Sequence, residues 1–594
     1  MIYSKNKYKD AVPFETISGI RKTLYNLGIE VHEENWGDVS SECFSVRLEV
    51  NAFPGAGNNG KGTTRSFALA SSYGEIMERL QNKKLFNKSY GLKYNKKSFP
   101  DEKIEDIVRF SEENPVIMKH LVQDYNDDVF FEIFDEYPKL SYFSEFYDIF
   151  KERSIWLPSI LINMACGTNG MCAGNSKYEA LCHGVCEIME RYVSKEILIN
   201  ELLLPEISID DIKDQKAVGI IDLVEKKGFD VIIKDCTLGG VYPVIGVLLL
   251  NKSRTRYQFR LGSESVFSIA LERCLTEIFQ GHDIHSFVTD AMLPIDYNFS
   301  NDQISIKENL MKISKNGTGQ FPMSIFFNEK SDSIYKNAFL TDLENNKQSY
   351  EHLLRILKCN DFKLYVRNLS FSGFPTYKIY IPGMSEIFLN DINKIERKIR
   401  INKAANYLLK IQFCNQEELL FLFEELDGYC SQDTSNFQLE NTPYFKSTNL
   451  HLKKGNDFGK IDIRLIVSLL SYYVGNDKKA SKYFSEYMKS LSNKNYADID
   501  YYRCIMAFLQ LKAADRDDKE IRKCLDQLFT GSVVSGVLEN FKDRSVGLFS
   551  KILIPSCPDC GNCKIKKSCL WKEWEKINTL IDQKLATFND YAVI

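Results

Sequence analysis

The chain has 594 residues, a length that suggests roughly two to four domains. Its composition, 44% hydrophobic and 26% charged, is that of a globular protein, and its net charge of −4 gives no reason to expect nucleic acid or a membrane as a partner. The longest apolar run, residues 241–250, is shorter than the roughly 20 residues of a membrane-spanning helix. The first residues lack the basic segment followed by an apolar segment that is typical of a signal peptide. We therefore expect a cytoplasmic location.

The first recognisable element is a strand. Alternating apolar and polar residues over 43–51 predict a half-buried strand, with Ser45, Arg47 and Glu49 on its solvent face. The strand leads through FPGAGNNGKGTT, which is typical of a loop, into a helix predicted over residues 66–83.

The pentapeptide EIMER occurs twice, at residues 75–79 and 187–191. Each copy lies late in a predicted helix that follows a glycine-bearing loop, and the second of these helices is expected over residues 176–201. Ala68 and Ala180 occupy matching positions as well. The sequence therefore predicts a repeated structural unit rather than a chance match.

A third strand–loop–helix unit, GSESVFSIALERCLTEIFQG, is a weaker copy with Glu277 and Gln280 at the two glutamate positions. Residues around 295–350 show poor periodicity and are interpreted as surface connections. The other elements predicted in this part are a helix near 210–227 and strands over 231–235, 241–251, 257–261, 363–366 and 377–381.

These elements predict an α/β (α+β) fold with pseudo-symmetric strand–loop–helix repeats over residues 1–400. Residues 401–555 carry only helical patterns, with small and aromatic residues at packing positions, as in tetratricopeptide-type helical hairpins. Residues 556–594 form a cysteine-bearing segment and a terminal helix. We expect these three parts to be separate domains.

The repeated helices carry glutamates at helical spacing. Glu179, Glu187 and Glu190 share one face of the second helix, opposite an apolar face, and Glu75 and Glu78 form an i,i+3 pair in the first. For a single helix, such a run is usually a solvated face. Because two homologous helices carry it, we expect the five carboxylates to converge on one cleft.

Clustered carboxylates repel one another and take up protons unless a cation neutralises them. Mg²⁺ suits an all-oxygen site and also binds phosphate oxygens. Arg79, Arg191 and Arg273 could supply bidentate phosphate contacts close by. The chemistry that this pattern predicts is the handling of ATP.

Two glycine motifs that suggest other nucleotide sites are rejected. Residues 55–61 fit G-x-x-x-x-G-K, but Gly62 stands where a P-loop needs Ser or Thr after the lysine. Gly55, Gly57 and Gly60 fit G-x-G-x-x-G, but no acidic residue ends a following strand to bind a ribose.

The motifs taken together resemble the YcaO family. NGKG and GEIMER, then MCAGNSKYEA and CEIMERYV, then ALER, occur in this chain in the family's order. The resemblance implies a distinct fold that binds ATP and Mg²⁺ without a P-loop and phosphorylates a backbone amide oxygen of a peptide. ERYVSKEILINELLLPEI, GGVYPVIGVLLLN, IYIPGMSEIF and YYRCIMAFLQL extend the resemblance to stand-alone bacterial members over nearly the whole chain.

The resemblance assigns roles to individual residues. It implies Mg²⁺ ligands at Glu75, Glu78, Glu179, Glu187 and Glu190, of which Glu75, Glu187 and Glu190 are expected to be catalytic. It implies nucleotide-binding residues at Lys9, Thr16, Glu78, Cys172, Asn175, Arg191 and Arg273. Thr16 and Cys172 replace serines, so the contact expected of Cys172 is weakened or made by its backbone alone.

The stand-alone members have a helical C-terminus and are implicated as accessory factors in β-methylthiolation of an aspartate of a ribosomal protein. The resemblance thus implies a peptide or ribosomal protein substrate and a methylthiotransferase partner. We also expect a homodimer. The chain ends in DYAVI instead of the proline-rich tail of azoline-forming members, which counts against cyclodehydration. Two alternatives stay open, a non-catalytic scaffold and a peptide azoline or thioamide synthetase.

Four of the 16 cysteines are clustered near the end of the chain, in CPDCGNCKIKKSC. The other twelve are scattered singly, as expected in a reducing compartment. Four thiols at this spacing favour a metal site, with Zn²⁺ as the first expectation and a [4Fe–4S] cluster or unligated thiols as alternatives. The predicted ligands are Cys557, Cys560, Cys563 and Cys569.

Overall fold

The structure is a computed structural model. It describes residues 8–40, 43–86, 97–123, 125, 130–133, 142–279, 287–296, 299, 302–387, 389–432, 436–448, 450, 452–453, 456–491, 499–545, 549, 554–557 and 559–594. Gln280 lies outside these residues.

The chain divides into two compact units. The first unit comprises residues 1–89, 95–392 and 575–594, and the second comprises residues 90–94 and 393–574. The division into three domains stays a prediction.

The first unit begins with a helix and an antiparallel sheet. Helix α1 spans Pro13–Asn26, and the sheet has the order β1 (Val31–Ser40), β2 (Cys43–Val50) and β3 (Gly57–Gly62). Helix α2, Arg65–Gln81, follows β3 and packs against it. The strand and the helix predicted on either side of the glycine-rich segment are confirmed.

The glycine-rich segment itself is not a loop throughout, because β3 pairs with β2 along its whole length. Strand β3 also lies directly against α2. A Cβ added at Gly60 would overlap the carbonyl oxygen of Ala68, and one added at Gly62 would lie 2.6 Å from Ala68 N. These glycines are required by the close approach of strand and helix, and the predicted loop was wrong for this reason.

The solvent face predicted for β2 is covered at two positions. Ser45 and Glu49 are buried. The Glu49 carboxylate accepts a hydrogen bond from the backbone N–H of Gly55 and lies 3.7 Å from Nε of Arg47. A carboxylate that is paired in this way can be buried, and alternation alone does not reveal the pairing.

Among the described residues, the first unit holds two further antiparallel sheets. Their strands are β4 (Lys103–Ile104), β5 (Tyr142–Asp148), β6 (Arg153–Pro158), β7 (Met171–Ala173), β8 (Glu206–Ile207), β9 (Phe229–Asp235), β10 (Val244–Asn251), β11 (Arg256–Ser263), β12 (Leu293–Pro294), β13 (Tyr365–Asn368) and β14 (Thr376–Tyr380). One sheet has the order β12-β11-β10-β9-β8, and the other follows β4-β5-β13-β14-β7 with β6 paired to β5. The strands predicted near these positions are confirmed.

The first unit contains further helices, including eight α-helices. They are α3 (Ile107–Glu113), α4 (Pro115–Leu121), α5 (Ser159–Cys166), α6 (Lys177–Asn200), α7 (Gln215–Lys226), α8 (Phe267–Ile278), α9 (Gln303–Asn316) and α10 (Asn346–Cys359). Helices α6, α7 and α8 confirm predicted helices. Helix α9 lies within 295–350 and corrects the prediction of surface connections there, because its buried Leu310 packs into the core despite a largely polar sequence.

Helix α6 is central to the first unit. It packs against β7, β11, β14 and α10. Leu181, Val185, Ile188 and Met189 are fully buried, as the apolar face predicts. That packing leaves the acidic face of the helix directed to the other side.

The second unit is helical, as predicted for the chain beyond about residue 400. Its helices include α11 (Ile392–Leu409), α12 (Gln416–Cys430), α13 (Pro443–Ser447), α14 (Ile463–Tyr473), α15 (Asp477–Leu491), α16 (Ile499–Ala513), α17 (Asp518–Leu528) and α18 (Gly531–Asn540). Neighbours in sequence pack on each other, α14 on α15 and α15 on α16. The tetratricopeptide-like class stays a prediction.

A last helix, α19, spans Trp571–Ala586. Within the described part of the chain, no helix combines the length and the apolar character needed to cross a bilayer.

Candidate functional site

A cavity of about 360 Å³, here called the cleft, lies in the first unit between α2, α6 and α8. Strand β3 and the segment before α1 complete its walls. The residues singled out by the sequence that line the cleft are Lys9, Thr16, Glu75, Glu78, Arg79, Asn175, Glu179, Glu187, Glu190, Arg191, Arg273 and Glu277, and His183 lines it as well. The two EIMER helices therefore direct their acidic faces into one space.

Equivalent caps start the two EIMER helices. The hydroxyl of Thr64 accepts a hydrogen bond from Phe67 N at 3.2 Å in α2, and that of Ser176 accepts one from Glu179 N at 3.2 Å in α6. Hydroxyl caps of this kind fix where a helix begins. The repeat thus extends from the cap to the glutamates three to four turns later.

Each EIMER copy contains an i,i+4 ion pair that faces the cleft. Arg79 Nη2 lies 3.2 Å from Glu75 Oε1, and Arg191 Nη2 lies 2.6 Å from Glu187 Oε1. Arg79 Nη1 is also 3.4 Å from Glu78. The side chains of the two i,i+4 pairs are one-fifth to one-third exposed, so these pairs are shielded from water more than surface pairs are.

The pKa values of two of the glutamates are raised above the usual carboxyl range. Burial raises the pKa of Glu78 to about 8. The positive charge of Arg79 opposes this rise, and the negative charge of Glu187 adds to it. Burial and the charge of Glu277 raise the pKa of Glu190 to about 8. Both side chains are therefore mostly uncharged at neutral pH, and a cation in the cleft would favour their ionisation.

A chain of hydrogen bonds ties the N-terminal segment to α6. Lys9 Nζ and the backbone N–H of Asp10 donate to the two oxygens of Glu179, at 3.1 and 2.8 Å. Asn175 Nδ2 donates to both oxygens at 3.1 Å, and Thr16 donates to Asn175 Oδ1 at 2.7 Å. Four of the predicted cofactor and metal residues are thus connected directly.

Arg273 reaches the cleft from α8 and contacts His183 on α6. Its Nη2 lies 3.0 Å from His183 Nδ1. Because an arginine only donates, Nδ1 accepts, and the ring proton is on Nε2. Burial, followed by the charges of Arg273 and Lys9, holds the pKa of His183 well below its ordinary value, so the imidazole is neutral.

The cleft also contains polar residues that the sequence did not single out as a site. Lys61 Nζ lies 2.5 Å from Glu277, and Glu272 contacts both Lys216 Nζ at 2.7 Å and the Tyr8 hydroxyl at 2.9 Å. The NGKG motif contains Lys61 and the ALER motif contains Glu272, so both residues could have been predicted from these motifs. Lys216 on α7 contacts Glu272 from outside the cleft lining, and no pattern in the sequence indicates this contact.

The structure does not bring Cys172 to the cleft. Its thiol is fully buried below α6 and lies 3.7 Å from the carbonyl oxygen of Tyr377. Ala173 and Gly174 line the cleft in its place. The side-chain contact carried over to Cys172 is therefore not made, whereas the other predicted nucleotide residues line the cavity.

The donor set of the cleft fits Mg²⁺ in its chemistry, since carboxylate oxygens are the ligands that this ion prefers. The raised pKa values of Glu78 and Glu190 are a second indication, because such groups become stable as carboxylates beside a cation. Among the described residues, however, no group of three or more acidic, histidine or cysteine side chains is already spaced to hold a metal ion. Glu75 and Glu187 would have to exchange an arginine for the ion.

The four clustered cysteines lie close to one another in the second unit. Burial raises the pKa of Cys557 to about 12, and Cys563, Cys569 and Cys560 contribute to that rise. Cys569 forms a β-bridge with Leu452. Among the described residues, these thiols too are not spaced to hold a metal ion. The predicted Zn²⁺ or [4Fe–4S] site stays a prediction.

Comparison with known proteins places these features in a family. The family model described as YcaO cyclodehydratase, ATP- and Mg²⁺-binding, matches residues 59–385. The chain belongs to the YcaO family, because this match covers more than half of its length. The resemblance inferred from the motifs is thereby confirmed.

Individual relatives extend over most of the chain. An uncharacterized protein of Haemophilus influenzae is 26% identical over 543 residues, which is 88% of this chain and 89% of that protein. The ribosomal protein S12 methylthiotransferase accessory factor YcaO of Escherichia coli is 25% identical over 541 residues, 86% of this chain and 87% of that protein. The structure of YcaO from Methanopyrus kandleri bound with AMPPCP and Mg²⁺ has a TM-score of 0.42 at 16% identity, and the match covers 64% of this chain and 93% of that one.

Proposed function

We propose that the first unit binds ATP together with Mg²⁺ in the cleft. The chain would use this ATP to activate an amide of a peptide substrate, or to assist β-methylthiolation of an aspartate of ribosomal protein S12 as an accessory factor. The observation that carries the proposal is the convergence of five glutamates with arginines from three helices on one cavity, in a chain of the YcaO family.

Mg²⁺ would supply the positive charge that neutralises the glutamates and the phosphates together. Glu78 and Glu190 would release their protons when it binds, and Glu75 and Glu187 would turn from their arginine partners towards it. Arg191, released in this way, would join Arg273 and Lys9 in holding phosphate oxygens. Positive groups fixed at these positions would stabilise the charge that develops on a transferred phosphoryl group.

The accessory-factor form of the proposal is supported by the E. coli relative, whose name describes that role. The match spans 86% of this chain and therefore includes most of the helical second unit. We infer that the second unit offers a surface for a protein partner, with a methylthiotransferase as the expected partner and a homodimer as the expected assembly.

A second candidate function is cyclodehydration or thioamidation of a peptide backbone. The family description favours it, since it names a cyclodehydratase. Both candidates require the same ATP site, but the products differ. A peptide that loses one water for each modified residue would indicate azoline formation, and an added methylthio group on an aspartate would indicate the first function.

We also propose that Cys557, Cys560, Cys563 and Cys569 hold a zinc ion, with a [4Fe–4S] cluster as the alternative. The spacing of the four thiols and their mutual influence on the pKa of Cys557 support this assignment. The thiols would draw together around the ion, because they are not preset at ligand distances.

The test of the ATP site is a pair of glutamine variants studied by titration calorimetry with Mg-ATP. Glu187→Gln should weaken binding by at least roughly tenfold, because a ligand for the cation is lost. Glu113→Gln is the matched control, since Glu113 lies on the surface of the same unit in an i,i+4 pair with Arg109. Equal affinities of Glu187→Gln and the wild-type protein, with both folded by circular dichroism, would contradict the proposal.

Whether ribosomal protein S12 is the protein that this chain helps to modify is tested by mass spectrometry of S12 from cells that lack the gene for this chain. The accessory role predicts loss of the methylthio group, with recovery when the wild-type gene is restored and no recovery with the Glu187→Gln gene. Full modification without the gene would exclude the accessory role and leave peptide activation to be examined.

A further inference from the structure

A second, much smaller cavity adjoins Arg191 in the first unit. Its volume is about 10 Å³, and its polar lining includes Asn169, Arg191, Ser194, Lys195 and Glu386. Arg191 lines both this cavity and the cleft, so its guanidinium connects them. We call the small cavity the Arg191 cavity. A volume of this size is close to that of a single water-sized sphere, roughly 10–15 Å³.

Three buried polar atoms of the Arg191 cavity have no hydrogen-bond partner among the described residues. They are Asn169 Oδ1, Arg191 Nη1 and Ser194 Oγ. Asn169 is fully buried and Ser194 is 3% exposed. Buried polar groups are almost always paired, and three orphans around one void indicate a missing partner that they share.

Neighbouring contacts fix which way these atoms point. Asn169 Nδ2 donates to the carbonyl of Ser385 at 2.8 Å, so its Oδ1 is the atom left over. Arg191 Nη2 is engaged by Glu187 at 2.6 Å, so Nη1 is the free donor. Ser194, three residues further along α6, contributes a hydroxyl that can donate or accept.

The other charged groups of this cavity are occupied elsewhere. Glu386 accepts from the Tyr380 hydroxyl at 2.6 Å through Oε1 and from Gly383 N at 2.9 Å through Oε2. Lys195 Nζ lies 3.4 Å from the carbonyl oxygen of Glu386. The unmatched set is therefore one charged donor, one acceptor and one hydroxyl.

We infer that a single resident water molecule occupies the Arg191 cavity. It accepts a hydrogen bond from Arg191 Nη1, donates one to Asn169 Oδ1 and makes its third bond with Ser194 Oγ. An anion would face the Asn169 oxygen and a cation would face the guanidinium, whereas water satisfies both. Three hydrogen bonds are typical of a buried water.

This water makes Ser194 and Asn169 positioning residues for Arg191. Glu187 holds one end of the guanidinium at the cleft, and the water holds the other end in the interior. When Glu187 turns to a cation, the water would keep Arg191 in place for a phosphate. This consequence rests on the proposed ATP site, whereas the presence of the water does not.

The test compares crystal structures and Mg-ATP titrations of the wild-type protein, Ser194→Val and Ser194→Ala. Valine fills the cavity and should expel the water, leaving Arg191 Nη1 unpaired and weakening Mg-ATP binding roughly five- to tenfold. Alanine removes the hydroxyl but leaves the space, so the water should remain with one hydrogen bond fewer, and affinity should fall less than in Ser194→Val.

Electron density in the Arg191 cavity shows whether the water is present. A water-sized peak in the wild-type protein, with no anomalous signal from crystals grown in bromide, supports the inference. An empty cavity, or a bromide peak, overturns it, and this result needs neither variant to fold. Unchanged affinity in Ser194→Val overturns the positioning role. Failure of the wild-type protein to bind Mg-ATP would instead count against the proposed function.

Discussion

Lys9 Nζ lies 3.1 Å from Glu179 Oε1, although 170 residues separate the two in sequence. This contact attaches the segment before α1 to the acidic face of α6. Nothing in the local sequence distinguishes Lys9 from an ordinary surface lysine, and its role was expected from the family resemblance alone. The structure adds a physical reason, since Glu179 is buried and Lys9 is the cation beside it.

We expect Lys9→Met to weaken Mg-ATP binding by roughly tenfold, because one charged contact to the cleft is removed. Titration calorimetry of the folded variant measures this. Lys22→Met on the exposed side of α1 is the control and should bind as the wild-type protein does. An effect of equal size in both variants would show that Lys9 acts only through the general charge of the surface.

The stability of the protein without Mg²⁺ should fall as pH rises from about 5 to 8. The pKa of Glu78 and that of Glu190 are raised to about 8 by burial, from an ordinary 4.5. Over this range the folded state keeps protons that the unfolded chain has released, so ionisation opposes folding increasingly with pH. Each group contributes on the order of 1 kcal/mol per pH unit to the decrease in the free energy of unfolding.

Urea denaturation at a series of pH values, in a buffer with a chelator, measures this slope. Glu78→Gln should make the slope shallower, because glutamine has no proton to lose while Glu190 still titrates with a raised pKa, and the exposed Glu113→Gln should leave the slope unchanged. Adding Mg-ATP should restore stability above pH 7. A stability that is constant or rises over the same range would contradict the assigned ionisation states.

Much of the cleft follows from local sequence signals. Helical spacing places Glu187 and Glu190 on the face opposite Val185 and Met189, and the structure has this arrangement. The cap at Ser176 marks where α6 begins. These features depend on residues within a few turns of one another, so they can be predicted from a single sequence.

Other features depend on residues that are distant in sequence. Strand β3 exists because β2 pairs with it and α2 covers it, and its glycines alone suggest a loop. Lys216 reaches Glu272 only because α7 packs beside α8. Cys172 points into the core, and its position in the loop does not indicate this direction. Tertiary packing decides such cases, and sequence patterns do not contain it.

The packing of β3 against α2 predicts a strong effect at Gly60. Gly60→Ala should lower the free energy of unfolding by roughly 1–3 kcal/mol, because the new Cβ overlaps the Ala68 carbonyl and must displace the helix. Gly19→Ala in α1 is the matched control, since it meets no atom within 4 Å and should be neutral or stabilising by up to roughly 1 kcal/mol. Denaturant unfolding compares the two. Equal stability in both would mean that β3 does not contact α2 as described.

The cysteine segment predicts a metal that the purified protein carries. We expect a colourless protein with one zinc ion per chain, measured by elemental analysis, because Cys557, Cys560, Cys563 and Cys569 supply a four-thiolate set. Cys563→Ser should lose most of the zinc, whereas Cys359→Ser, an exposed cysteine of the first unit, should keep it. A brown protein containing iron would select the [4Fe–4S] alternative. Metal-free protein in which all four thiols react with a thiol reagent would exclude both the zinc ion and the cluster. Glu187→Gln changes only the cleft and should leave the zinc content unaltered.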